Sequence, residues 1–250
     1  KDSIQHTAYP IQEAGGLLFA YMGPAPAPLT PRYDVLARED WERRIEIHPV
    51  LECNWVQPME NAVDPAHLYW LHGYSGGAPS GSPDDSNEFE PFELGIYKSH
   101  IDKNRTEAHP LVFPNILRVV NSLQFRTPVD DTHTLHVRLM YRHLEPGETT
   151  PEEVPFAHGP VYDETGRLKR DFVPGQDHTA WVIQGPLMDR TTEHLAVSDV
   201  GIIMYRRMLM AQMDVVEDGG EPINVFRDPE ENRFLDLPME DYGPLLRYER

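Results

Sequence analysis

Asp64-x-x-His67-x-x-x-x-His72, inside the run Glu60-Asn-Ala-Val-Asp-Pro-Ala-His-Leu-Tyr-Trp-Leu-His72, places two imidazoles and a carboxylate within nine residues. Two His and one carboxylate form the ligand set of non-haem Fe(II) oxygenases, which leaves coordination positions open for O2 and substrate. The same donors could also hold a hydrolytic zinc with water in the open position. Spacing alone carries little weight: with 12 His in 250 residues, a pair five apart is expected on the order of once by chance. On an ideal helix Asp64 and His67 are neighbours, about 60° apart, whereas His67 and His72 diverge by about 140°. A regular helix therefore would not aim both imidazoles at one ion. The second must lie at a helix end or beyond a local distortion, which Gly73 permits. The competing reading makes Asp64 an N-cap and both His ordinary polar residues.

Around this segment the chain reads as α+β. Gly16–Met22 is apolar, short and bounded by Gly pairs and Gly23-Pro24, the pattern of a buried strand. Pro24, Pro26, Pro28 and Pro31 then make a stiff connector. Strand patterns follow at Arg44–Val50, Phe92–Ile101, Ile116–Arg126 and Thr134–Leu144, the last two joined at the turn Pro128-Val-Asp-Asp131. Gly73–Asn87 and Glu145–Pro174 read as surface loops. A helix is expected from about Thr191 to Glu217, with Leu195, Ile202, Tyr205, Leu209, Met213 and Val216 along one stripe and Gly219-Gly220 as its stop. A curved antiparallel sheet wrapped on that long C-terminal helix, a helix-grip arrangement, would enclose a cavity suited to a small apolar ligand. No internal repeat is visible.

The formal charge of −19 argues against nucleic acid or an anionic membrane surface, since both select basic patches. No apolar run approaches a membrane span and no signal peptide is visible. Cys53 is the single cysteine, so an intrachain disulfide is excluded and a reducing, cytoplasmic setting is expected. One cysteine also excludes an iron–sulfur cluster held by this chain alone, because even a Rieske centre takes two Cys and two His. The chain opens on Lys1 rather than Met, which suggests processing or a piece of something longer.

Five ordered blocks resemble the catalytic domain of Rieske non-haem iron aromatic-ring-hydroxylating oxygenases, in the phthalate dioxygenase-like branch. They are Tyr9-Pro-Ile-Gln-Glu-Ala-Gly-Gly-Leu-Leu-Phe-Ala-Tyr-Met-Gly-Pro24, Asn54-Trp to His72, Phe113-Pro-Asn-Ile-Leu-Arg118, Thr127-Pro-Val-Asp-Asp-Thr-His-Thr134 and Gln184-Gly-Pro-Leu-Met-Asp-Arg-Thr-Thr-Glu-His-Leu-Ala-Val-Ser-Asp199. The resemblance implies His67 and His72 as iron ligands. Asp189 is the choice for the carboxylate, with Glu193 and Asp199 as rivals and an N-cap role as the alternative for Asp189. It assigns Asp64 to the link between His67 and a Rieske-cluster His of a neighbouring subunit. Asn61, one turn before Asp64, could face the metal, against the plainer reading of a surface or capping amide. Residues 1–35 are then a strand and Pro-rich connector following an upstream Rieske domain, and 36–250 the mononuclear iron domain.

The activity so implied is that of a terminal oxygenase component. It would use Fe(II) and O2 to hydroxylate, dihydroxylate or O-demethylate a small aromatic acid or ether. Electrons would come from a Rieske [2Fe-2S] cluster fed by a reductase or ferredoxin, in a homotrimer or stacked trimers. A non-catalytic helix-grip binding protein and a zinc hydrolase are the alternatives. Arg118, Arg126 and Arg138 could meet a substrate carboxylate, against the plainer reading of solvated or paired strand residues. Trp55, Tyr69, Trp70 and Phe125 could line a pocket, against core packing. Met204, Met208, Met210 and Met213 read as flexible helix packing.

Overall fold

Alternation along β9 (His133–His143) sends Val137, Leu139 and Tyr141 to one face of a sheet and His136, Arg138 and Met140 to the other. That division organises the protein. The computed structural model describes residues 8–73, 86–101 and 106–237. Its main sheet has eight strands in the order β10-β3-β9-β8-β7-β6-β5-β4. The remaining strands are β3 (Trp41–Ile47), β4 (Ser86–Phe92), β5 (Gly95–Ile101), β6 (Thr106–Val112), β7 (Ile116–Val119), β8 (Ser122–Asp130) and β10 (Phe156–His158). All neighbours pair antiparallel except β10 with β3. The result is a mixed α/β protein, a large sheet with few helices.

One face of the sheet carries Ile45, Leu123, Phe125, Leu139 and Tyr141 against Tyr33, Val35 and Leu36 of the short helix α1 (Asp34–Ala37) and its approach. The hairpin β1 (Ile11–Ala14)–β2 (Leu17–Ala20) packs on the same core through Leu17 and Phe19. Its turn uses Gly15 and Gly16 at φ 61° and 82°, left-handed values that favour glycine. The buried strand expected over Gly16–Met22 is instead a hairpin arm, with Leu18 and Met22 exposed. Only alternate residues of that apolar run can face the core.

The other face holds α2 (Val56–Ala62), α3 (Val173–Val182) and α4 (Val200–Glu217). Tyr205 is fully buried and its hydroxyl donates to Pro114 O at 2.9 Å, while Ile202 and Leu209 pack beside it. Gly201 brings α4 close: a Cβ there would collide with Val63 O and the Phe89 ring. The helix starts later than the pattern suggests, because Thr191 to Asp199 contains two short 3-10 turns, each with an aspartate closing a local hydrogen bond. Leu195 falls in this irregular stretch and is exposed, as are Met213 and Val216 in the second half of α4. Met204 and Met208 pack on the core, whereas Met210 and Met213 do not.

The strand pattern over 92–101 belongs to a β4–β5 hairpin, and that over 116–126 is divided by a turn at Val120, φ 49°. The loop expected over Gly73–Asn87 falls, from 74 to 85, outside the described residues, and β4 already begins at its far end. Within Glu145–Pro174 the only strand is the short β10. Among the described residues no helix is long and apolar enough to cross a membrane.

Candidate metal centre

His67 and His72 are brought together by an irregular helix. Residues Leu68–His72 form a π-turn directly after His67. Its i→i+5 repeat places residues five apart nearly one above the other, where an α-helix would splay them. The ring centroids are 5.2 Å apart and the planes are nearly perpendicular, at 80°. This is the distortion that the spacing demanded.

The acid facing them is Asp177, on the second turn of α3. Its Oδ1 lies 3.3 Å from His72 Nε2 and 3.8 Å from His67 Nε2. That oxygen is buried and, among the described residues, faces no polar partner beyond these two imidazoles. The far nitrogens are tied down. His67 Nδ1 makes a short hydrogen bond to the Asp64 backbone carbonyl, and His72 Nδ1 donates to Gln176 Oε1 at 2.7 Å. Such outward bonds fix the tautomer and leave each Nε2 lone pair for a metal. With metal–nitrogen bonds of about 2.0–2.1 Å, ligand atoms sit about 3 Å apart, so small side-chain movements would close this set on one cation. Two imidazole nitrogens and one buried carboxylate oxygen fit a mononuclear divalent metal.

The electrostatics of the two imidazoles differ. Burial pulls His67 down to about 4, with Lys98 and His72 adding to the effect against Asp177, so its imidazole is neutral near pH 7. For His72, burial acts in the same direction but contact with Asp177 and Gln176 outweighs it, and its pKa rises. Burial would raise Asp177, yet the two imidazoles and Arg126 hold it below the usual carboxylate range.

Asp189 is elsewhere. It caps the 3-10 turn Arg190–Thr192, with Oδ1 accepting from Thr191 N at 3.0 Å and Thr191 Oγ1 at 2.6 Å, on an exposed stretch. Its rivals are also engaged. Glu193 pairs with Arg206 at 2.6 and 2.7 Å, and Asp199 Oδ2 accepts from Ala196 N. Asp177, the acid the structure brings to these imidazoles, and Gln176 are not among the residues the sequence singles out: the expected loop ends at Pro174, and no element is expected over the rest of α3. Pro174-Gly175 imitates a turn, but proline in the first turn of a helix is a start signal. Gly175 is required by packing, since a Cβ there would collide with Lys169 O.

Asp64 stands beside His67, its Oδ1 accepting from Ala66 N at 2.8 Å and its Oδ2 3.8 Å from His67 Nδ1. Burial raises its pKa, opposed by the Ala66 amide and Lys98. Lys98 is buried and donates to Ala62 O at 3.0 Å. Asn61 is half-buried, one turn before Asp64, whose amide its backbone carbonyl accepts at 3.1 Å. Beneath α2, Glu60 is clamped by Arg190 (3.0 and 3.1 Å) and Arg206 (2.7 Å), which anchors the segment leading into the π-turn.

Of the three arginines, Arg118 lies on the opposite face, 2.6 Å from Asp34, and Arg138 pairs with Glu46 at 2.7 Å. Arg126 shares the metal face, buried, donating to Pro58 O at 2.7 Å with its guanidinium 5.0 Å from the Trp181 ring centroid. Phe125 belongs to the opposite core, Trp55 packs with α2 and α4, and Tyr69 meets the exposed Trp70 edge-on.

No protein-family model matches the chain. The chain is 34% identical to the 5,5'-dehydrodivanillate O-demethylase oxygenase subunit of Sphingobium sp. (strain NBRC 103272 / SYK-6), over 95% of this chain and 59% of that protein. It is 29% identical to the phenoxybenzoate dioxygenase subunit alpha of Ectopseudomonas oleovorans, over 90% and 62% respectively. The chain thus spans about three fifths of the length of these relatives. Among solved structures, NdmA of Pseudomonas putida CBB5 (QL mutant with theobromine) superposes with a TM-score of 0.61 at 16% identity, covering 85% of this chain and 62% of that one. The terminal oxygenase of carbazole 1,9a-dioxygenase from Novosphingobium sp. KA1 gives 0.51 at 18% identity, over 80% and 65%. The homologues of this chain are oxygenase subunits of the Rieske aromatic dioxygenase family.

Proposed function

We propose that this chain is the mononuclear iron domain of a terminal oxygenase acting on a small aromatic acid or ether. The observation that carries the reading is the convergence of His67 Nε2, His72 Nε2 and Asp177 Oδ1, with both Nδ1 atoms held by outward partners. Fe(II) bound there would supply the O2 chemistry of hydroxylation, dihydroxylation or O-demethylation. The chain's own part is positional. The π-turn sets the two imidazoles, Gln176 fixes the tautomer of His72, and the Asp64 carbonyl fixes that of His67. Helix α4 against the sheet, as in a helix-grip arrangement, would wall the substrate cavity.

Cys53 alone does not suit a [2Fe-2S] cluster, so electrons are to be delivered by a Rieske centre outside residues 1–250, fed by a ferredoxin or reductase. We place Asp64 between that centre and His67, residues 1–35 as the connector and 36–250 as the iron domain, in a homotrimer. Asn61 remains a candidate for the side of the cavity facing the metal.

Metal analysis of the chain purified without added metal tests the reading. Iron at about one per chain supports the oxygenase, zinc in the same site supports a hydrolase, and an empty His67–His72–Asp177 site supports a non-catalytic binder. Asp64→Asn should keep its iron while reduction by a Rieske partner slows. Unaltered single-turnover rates in that variant would remove the bridging role.

A further inference from the structure

One residue beyond Asp177, His178 turns toward the sheet and meets His136 of β9 and His48, which directly follows β3. The three are 0, 2 and 1% exposed. Each can present one ring nitrogen within 4.8 Å of the other two. Their ring centroids are 4.5, 5.1 and 5.1 Å apart. Two imidazoles on a tetrahedral zinc, with Zn–N of about 2.0–2.1 Å, have centroids about 5 Å apart.

The hydrogen bonding inside the cluster is incomplete. His48 Nδ1 donates to Gly159 O at 3.3 Å, which leaves its Nε2 as a bare lone pair. Gly159 permits that approach, because a Cβ there would overlap the His48 ring. His136 Nδ1 and His178 Nε2 are 2.9 Å apart and share one proton. Their outer nitrogens, and His48 Nε2, are buried with no partner. Whichever ring donates, one outer N–H is left without an acceptor and its lost hydration is not repaid. Three histidines of this kind are a poor solution for packing alone.

We propose that His48, His136 and His178 form a second divalent-metal site, of zinc type, next to the His67–His72–Asp177 centre. An all-imidazole set with one position left open is the donor pattern zinc accepts. Two arginines, Arg126 and Arg138, face the cluster, with the carboxylates of Glu46 and Asp177 opposing them. Arg138 is paired with Glu46, whose Oε2 lies 4.0 Å from His48 Nε2. Arg126 faces Asp177.

The test is a zinc titration of the full chain against a chromophoric chelator, with cobalt absorption as a second readout. The native chain should take up two equivalents and His67→Ala/His72→Ala one. His136→Gln and, separately, His48→Gln should each lose one equivalent with circular dichroism unchanged and the first site intact. A single equivalent in the native chain, lost altogether in His67→Ala/His72→Ala, would overturn the proposal. So would a second equivalent that survives in both His136→Gln and His48→Gln. The first site's assignment fails separately, if His67→Ala/His72→Ala retains both equivalents.

Discussion

Asp34, buried, and Asp177, half-buried, lie one on each face of the eight-stranded sheet, and their surroundings differ in kind. Asp34 Oδ1 takes Arg118 Nη1 at 2.6 Å and Val35 N at 2.7 Å, and Arg118 reaches on to the Tyr141 hydroxyl at 2.7 Å. That guanidinium sits 4.9 and 5.9 Å from the ring centroids of Tyr141 and Trp41. It is a closed ion pair. Asp177 instead faces two imidazoles and keeps an unsatisfied Oδ1. Burial raises Asp34 in spite of its arginine, whereas the imidazoles and Arg126 lower Asp177 in spite of its burial. A buried acid with its bonds completed belongs to the scaffold; one whose partners are lone-pair donors has room left for a cation.

The comparison breaks most visibly on metal content. Asp177→Ala should reduce iron from about one per chain to a trace, since two imidazoles alone hold a divalent metal weakly. Asp189→Asn should leave occupancy unchanged. Elemental analysis of the two purified variants decides it, and the reverse outcome would return the ligand to Asp189. Asp34→Asn should do the opposite: lose about 3–5 kcal/mol of stability by removing the charge opposed to buried Arg118, while the folded fraction retains its iron. Denaturant titration beside metal analysis separates the two effects. Iron loss at full stability in Asp34→Asn would put the two acids in one class.

His67 and His72 were singled out from the family resemblance rather than from their spacing, which is five residues and so out of phase on an α-helix, and the structure draws them together through a π-turn over Leu68–His72. The sheet was legible in outline from alternation, and its hairpins from turn residues such as Pro128–Asp131. Asp177 was not, for two physical reasons. It lies 105 positions beyond His72, so only the fold joins them. Its helix also opens with Pro-Gly, which local reading assigns to a turn. Asp189 drew attention as an acid before a basic residue, yet an exposed aspartate two residues before a threonine amide is equally a cap. The His48, His136 and His178 cluster carries no local pattern at all, since its members come from three separate segments.

A smaller effect sharpens the role given to the residue beside Asp177. Gln176 Oε1 holds His72 Nδ1 at 2.7 Å while its amide donates to Arg170 O at 3.2 Å. Gln176→Leu removes the outward bond without moving a ligand. Metal affinity should fall about 10–100-fold, with the melting temperature changed far less than in Asp34→Asn. Competition with a chelator of known affinity measures the loss. Unchanged affinity would show that α3 alone fixes the geometry.

The smallest effect concerns Cys53, a titratable group on the site's side of the sheet that the comparison assigns to the scaffold. It is fully buried with Leu51, Val161 and Trp181, and burial pushes its thiol from the ordinary 9.0 up to about 11. At pH 8 the native thiolate is then about one part in a thousand, and only the thiolate is nucleophilic. Iodoacetamide should leave the native chain unmodified over hours and label it promptly in denaturant, as read by intact mass. The folded state holds this proton more tightly than the unfolded state. The stability it contributes is therefore complete below about pH 9 and is lost as pH rises toward about 11. Rapid native labelling at pH 8 would mean that this core opens readily. The contrast between closed scaffold and open site would then have to be restricted to the Asp34 face.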